Sequence, residues 1–153
     1  MENELGCTMR ILIMGSGGMG GYFWGIFAYV GNDVIFIARG EHLKALQGSG
    51  LNLLSPDNDI HIKQVKATAT PKEVGQVDLI LFCVKLYDVE EAAINLKPVI
   101  GPNTFVVTTR NDISGPEIIR KLIGRNRVLG GAAYVLLKLR GQGSFGHQME
   151  QDQ

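Results

Sequence analysis

The stretch Met9-Arg10-Ile11-Leu12-Ile13-Met14-Gly15-Ser16-Gly17-Gly18-Met19-Gly20 decides the fold. Apart from Arg10, residues 9–14 are apolar, and the run is short enough for a buried strand. Gly15, Gly17 and Gly20 follow as G-x-G-x-x-G, and an apolar, helix-like segment begins at once. Strand, glycine turn and helix in direct succession turn a weak pattern into a dinucleotide-binding fingerprint. Each glycine meets a different demand. Gly15 permits the tight turn, Gly17 lets the backbone approach a pyrophosphate, and Gly20 lets helix and strand pack closely. The helix start offers unpaired N–H groups and the positive end of its dipole to the phosphates. The plainer alternative, a glycine-rich turn without a ligand, is weakened by the flanking strand and helix.

Downstream, Gly20–Val30 gathers Tyr22, Phe23, Trp24, Ile26, Phe27, Tyr29 and Val30 into one helix that is apolar on most faces. That pattern predicts a helix buried on a sheet, its aromatic residues serving as core. Gly31-Asn32 stops it. Val34–Ala38 reads as a second, parallel strand covered on both faces. Arg39 then stands 19 residues after Gly20, where NAD-binding folds carry an acid for the ribose 2′-hydroxyl. A guanidinium pairs with the 2′-phosphate that a carboxylate would repel, so the sequence favours NADP over NAD. A merely solvated strand-end arginine is the alternative, and it leaves the missing acid unexplained.

Further along, Glu41–Gln47 is expected to form a short helix ended by Gly48, and Leu51–Leu54 with Ile60–Lys63 a hairpin around Ser55–Asp59. Pro71–Val74 suggests a helical turn capped by Thr70. Val77–Val84 reads as a buried strand closed by Lys85, and Tyr87–Leu96 as a helix ending near Pro98. Thr104–Thr108 (strand), Pro116–Ile123 (helix) and Val128–Tyr134 (strand) complete the series. Alternating strands and helices predict an α/β, Rossmann-type doubly wound parallel sheet with right-handed crossovers. It would form a single domain over residues 9–147, between a disordered leader (1–8) and a tail (148–153). Ligands of such sheets bind at the carboxyl ends of strands, where Lys85 and Asn111 stand. Lys85 suits a phosphate, and Asn111 suits the nicotinamide end or a substrate. Taken singly, each also fits a solvated loop residue.

Composition excludes other classes. Fifteen basic against fifteen acidic residues leave no net charge, which argues against nucleic-acid or anionic-membrane partners. Cys7 and Cys83 suggest neither a disulfide framework nor a metal site, so a reduced, cytoplasmic compartment is expected. Ile11–Val30 is twenty uncharged residues, long enough for a spanning helix. Six glycines split it into a strand-like and a helix-like half, and Glu2 and Glu4 do not suit a signal peptide. His42, His61 and His147 show no ligand spacing, and no nucleophile triad or carboxylate pair can be argued.

Together these segments resemble the N-terminal half of the ketopantoate reductases (2-dehydropantoate 2-reductases). The resemblance is carried by the glycine motif, by Ala38-Arg39-Gly40-Glu41-His42-Leu43-Lys44-Ala45-Leu46 with Gly50-Leu51, and by Val84-Lys85-Leu86-Tyr87-Asp88. Gly130-Gly131 with Tyr134, and the closing Gly143 and His147, extend it over about Met9 to His147. It implies NADPH-dependent reduction of a 2-oxo acid, such as 2-dehydropantoate, to the 2-hydroxy acid, a step of pantothenate biosynthesis. By the same resemblance Gly15, Ser16, Gly17, Gly18, Met19 and Gly20 hold pyrophosphate, and Arg39 holds the 2′-phosphate. Lys85 and Asn111 help place the cofactor, Asn111 also serving as a contact to nicotinamide or substrate. The partner is a small-molecule 2-oxo acid, and a homo-oligomer is in keeping. The chain has Asn111-Asp112 where the family pattern is Asn-Gly. Family members also continue for about another domain length, a helical domain that supplies a catalytic lysine and a glutamate. The expectation is therefore a truncated NADP-binding domain without catalytic residues of its own, inactive alone. Uncovered apolar surface near Val135–Leu139 would favour self-association. A free-standing NADP-binding module without turnover and a remnant that binds nothing are the alternatives.

Overall fold

The computed structural model describes residues 8–15, 25–54, 59–85, 88–108, 114–124, 127–130, 137–139 and 144–147. In chain order the elements are β1 (Arg10–Met14), a helix α1 described over residues 25–29, β2 (Asp33–Ile37) and α2 (Gly40–Ser49). The hairpin strands β3 (Leu51–Leu54) and β4 (Ile60–Ile62) follow, then β5 (Lys66–Thr68), β6 (Val77–Phe82), α3 (Val89–Leu96) and β7 (Ile100–Thr108). The last are α4 (Ser114–Ile123), β8 (Val128–Gly130), β9 (Leu137–Leu139) and β10 (Ser144–His147).

Six strands form one parallel sheet in the order β5-β2-β1-β6-β7-β8. The unbroken apolar runs of β1, β2 and β6 place them centrally, because such strands are covered on both faces. Alternate side chains point to opposite faces and make two cores. Leu12, Met14, Ile35, Ile37, Ile80, Phe82 and Val106 pack with Val89, Ala93 and Leu96 of α3 and Ile119 of α4. On the other face Ile11, Ile13, Val34, Phe36 and Leu81 pack with Leu46 of α2 and with Leu51 and Leu53 of β3. α2 and β3, before β6, and α3 and α4, after it, thus cover opposite faces, as in a doubly wound sheet.

A second, smaller sheet has the order β4-β3-β10-β9. β3 and β4 form the expected antiparallel hairpin, while β10 pairs parallel with β3 and antiparallel with β9. Neither β9 nor β10 was expected from the sequence, nor was the short edge strand β5. Towards the other end of the chain, β8 is described over Val128–Gly130; residues 131–134 of the strand expected to reach Tyr134 lie outside the described residues.

Several expectations are corrected. The first helix is not buried on the sheet over the described part: Ile26, Phe27, Tyr29 and Val30 are 39%, 36%, 60% and 48% exposed. Its contact is made by small residues instead. A Cβ on Gly25 would lie 2.7 Å from a Leu51 methyl and 2.9 Å from a Leu53 methyl. The close approach therefore falls on Gly25, and the large side chains turn outward; Tyr22, Phe23 and Trp24 lie outside the described residues. The stop at Gly31-Asn32 holds, with Asn32 N–H donating to Phe27 O at 3.1 Å, Gly31 N–H to Ala28 O at 3.1 Å, and Gly31 at φ +94°.

α2 runs through Gly48 and Ser49 and ends at Gly50, not at Gly48. Gly50 takes φ +77°, and a Cβ there would collide with the Ile62 carbonyl oxygen. Thr70 precedes the 3₁₀ turn Pro71–Glu73 without capping it through its side chain. The Thr68 hydroxyl does related work, accepting from Thr70 N–H at 3.1 Å and donating to the Glu73 carboxylate at 3.0 Å. β6 ends at Phe82 rather than Val84, although Cys83 N–H still donates to Met14 O at 2.8 Å. β7 starts four residues earlier than expected, at Ile100. The buried Thr104 hydroxyl donates to Val77 O and accepts from Gly101 N–H at 2.8 Å, where the β6–β7 register shifts. Among the described residues no helix is long and apolar enough to cross a membrane.

Candidate functional site

Strand register sets the site. Thr68, Ile37, Met14, Phe82, Thr108 and Gly130 are paired in sequence across the sheet and form a single row at its carboxyl edge. Whatever follows these residues stands on one rim: Gly15 after β1, Ala38 and Arg39 after β2, and Cys83 to Lys85 after β6. β1 lies between β2 and β6, and the chain order reverses there, which makes this rim the switch point at which open α/β sheets bind ligands.

Gly15 is required on two counts. Its φ is +95°, and a Cβ would sit 2.8 Å from the carbonyl carbon of Cys83, 2.8 Å from Val84 N and 2.9 Å from Cys83 O. The chain leaving β1 is thus pressed against the end of β6 with no room for a side chain. The other residues assigned to the turn, Ser16, Gly17, Gly18, Met19 and Gly20, lie outside the described residues, as do Asn111 and Asp112.

Arg39 is on the rim, as its sequence position predicts. It is the N-cap of α2 in extended conformation (φ −133°, ψ 159°), and its carbonyl accepts Leu43 N–H at 3.3 Å. The guanidinium is exposed and lies 3.4 Å from a carboxylate oxygen of Glu91, in the first turn of α3. β2 and α3 belong to opposite sides of β1, so this pair spans the carboxyl end of β1. An exposed pair at this distance is weak, worth about 0–1 kcal/mol. Lys85 is also exposed on the rim, and its carbonyl accepts Asp88 N–H at 3.1 Å in the turn leading to α3. Two cations therefore flank the exit of β1, one from β2 and one from β6, a charge arrangement that suits an anionic ligand.

Three features of the rim escaped the sequence reading. Glu91 is 52 residues from Arg39, and no local pattern joins them. Thr108 closes β7 with a fully buried hydroxyl that has no hydrogen-bond partner among the described residues; a polar residue ending an apolar run was its only signal. Cys83 is half-buried, and its backbone floors the Gly15 turn. No cluster of three His, Cys, Asp or Glu side chains suited to a metal occurs among the described residues.

Comparison with known proteins places this fold. A 2-dehydropantoate 2-reductase of Mesorhizobium japonicum is 30% identical over 160 residues, which cover 91% of this chain and 49% of the relative. The crystal structure of 2-dehydropantoate 2-reductase from Geobacter metallireducens GS-15 superposes with a TM-score of 0.86 at 29% identity, over 91% of this chain and 46% of that one. The ternary structure of D-mandelate dehydrogenase with NADH and anilino(oxo)acetate superposes with a TM-score of 0.82 at 26% identity, over 92% and 46%. The chain spans about half the length of the curated relatives it matches. The family described as ketopantoate reductase PanE/ApbA matches residues 11–153, from the first buried residue of β1 onward. By this match the chain belongs to the ketopantoate reductase family.

Proposed function

We propose that this chain is the cofactor-binding part of a 2-oxo acid reductase, that it binds a nicotinamide dinucleotide across the carboxyl ends of β1, β2 and β6, and that it takes NADP(H) in preference to NAD(H). The observation that carries the reading is Arg39 on the rim beside the β1 switch point, where Gly15 leaves no side chain in the way. Pyrophosphate is assigned to the turn from Gly15 to Gly20, through N–H groups and the start of the helix that follows. Arg39 holds the 2′-phosphate at the β2 end, a charge-assisted contact that NAD(H) lacks. Lys85, following β6, is assigned to a cofactor phosphate, and Asn111, following β7, to the nicotinamide end or the substrate.

The reaction is reduction of the carbonyl of a 2-oxo acid, 2-dehydropantoate by analogy with the named relatives, to the 2-hydroxy acid, as in pantothenate biosynthesis. When bound, NADPH supplies the hydride. The chain's own residues bind and orient; the group that delivers a proton to the substrate oxygen is assigned to the part of the relatives beyond the matched half. A cytoplasmic setting is part of this reading, since two cysteines in 153 residues give no disulfide framework. Titration of the chain with NADPH and with NADH, followed by calorimetry, tests the assignment. Saturable binding with the tighter constant for NADPH is expected, and no binding of either cofactor refutes it.

A further inference from the structure

We infer that Glu91 is a cofactor-specificity residue that opposes Arg39: its carboxylate lowers the preference for a 2′-phosphate and gives the site a partner for a free ribose 2′-hydroxyl. The inference rests on the cofactor assignment above and deepens it. Three observations lead to it. The Arg39 guanidinium is held 3.4 Å from the Glu91 carboxylate, and both side chains are about two-thirds exposed, 67% and 69%, so the pair is open to a ligand. Glu91 lies in the first turn of α3, where the helix dipole favours a negative charge. β2 itself ends Ile37-Ala38-Arg39-Gly40 without an acid, and the next carboxylate, Glu41, is paired with Lys44 at 2.8 Å.

NAD-type folds hold the 2′-hydroxyl with an acid at the end of the second strand. Here a carboxylate reaches the same rim from α3, across the end of β1. A 2′-phosphate arriving at Arg39 must share the guanidinium with Glu91 and tolerate like charge beside it. A 2′-hydroxyl has neither conflict and can donate to the carboxylate. Arg39 and Glu91 therefore pull the site toward different cofactors, and the NADP(H) preference is smaller than Arg39 alone would set.

The test is to titrate the unaltered chain, Glu91→Gln and the neighbouring Glu90→Gln with NADPH and NADH at low and high salt. Both substituted side chains are exposed, so unchanged thermal midpoints are expected. Glu91→Gln should raise the ratio of NADPH to NADH affinity about two- to fivefold at low salt, the range open to an exposed ion pair, and less at high salt. Glu90→Gln, which removes the same charge without an ion pair to Arg39, should change the ratio less. An unchanged or lowered ratio in Glu91→Gln, or equal effects of the two variants, overturns the role of Glu91 while the cofactor assignment stands. Failure of the unaltered chain to bind either cofactor refutes the assignment and this inference with it.

Discussion

Gly15→Ala should cost this fold far more than an ordinary glycine replacement, and the structure says why. Two penalties combine at this site. The backbone sits at φ +95°, which a Cβ disfavours by about 1–2 kcal/mol. The added methyl also meets Cys83 and Val84 backbone at 2.8–2.9 Å, and backbone cannot swing aside as a side-chain tip can. Overpacking of that kind costs about 1–3 kcal/mol. The sum, about 2–5 kcal/mol, is a large part of the 5–15 kcal/mol by which domains are stable. Gly31→Ala is the internal control, because Gly31 has nearly the same φ, +94°, with nothing within 4 Å of the added atom. It should show the conformational cost alone. With a urea dependence of about 1–3 kcal/mol per molar, the overpacking of about 1–3 kcal/mol that separates the two variants should place the Gly15 midpoint about 0.3–3 M urea below that of the Gly31 variant, read by far-ultraviolet circular dichroism. Equal midpoints would show that the contact between the β1 exit and the end of β6 is not as tight as described, and would remove the geometric basis of the site.

Other outcomes follow from the same geometry. Arg39→Ala should weaken NADPH about 10-fold or more, as expected for a lost charge-assisted pair of about 1.5–3 kcal/mol, and leave NADH nearly unchanged; equal losses in calorimetric titration would remove the 2′-phosphate from Arg39. Gly17→Val should abolish cofactor binding and retain the circular dichroism spectrum, whereas an unchanged binding constant would make the turn purely structural. Residues 1–153 mixed with NADPH and 2-dehydropantoate should bind cofactor without sustained turnover, since proton donation to the substrate oxygen is assigned elsewhere; loss of NADPH absorbance at about 1 s⁻¹ or faster would place a catalytic acid within these residues.

How much of this was legible in the sequence depends on whether an element's environment is written locally. β1, β2 and β6 are buried on both faces, so their apolar runs alone mark them. β5, three residues at a sheet edge reading Lys-Ala-Thr, carries no such run. β10 joins β3 from more than ninety residues away, and a pairing that distant leaves no mark on either strand. The α1 error has a different origin. Counting apolar bulk predicts burial, but contact distance is set by the smallest residue at the crossing, and Gly25 against Leu51 and Leu53 takes that position while Ile26, Phe27 and Tyr29 face out.

The same division runs through the site. Parallel pairing aligns Met14, Ile37, Phe82 and Thr108 in one row, so a residue one to three positions past a strand end reaches the rim whatever its side chain. That is why Gly15, Arg39 and Lys85 could be placed from strand ends alone. What each side chain meets there is set by the crossovers, whose lengths and turns bring the start of one helix to the end of another strand. Arg39 was legible as a cation at the right place, but its carboxylate neighbour was not, because Glu91 reaches the rim only through the β6–α3 turn. Strand-end arithmetic therefore predicts which charge faces a cofactor, while the strength of its preference depends on a second charge that only the folded chain brings near.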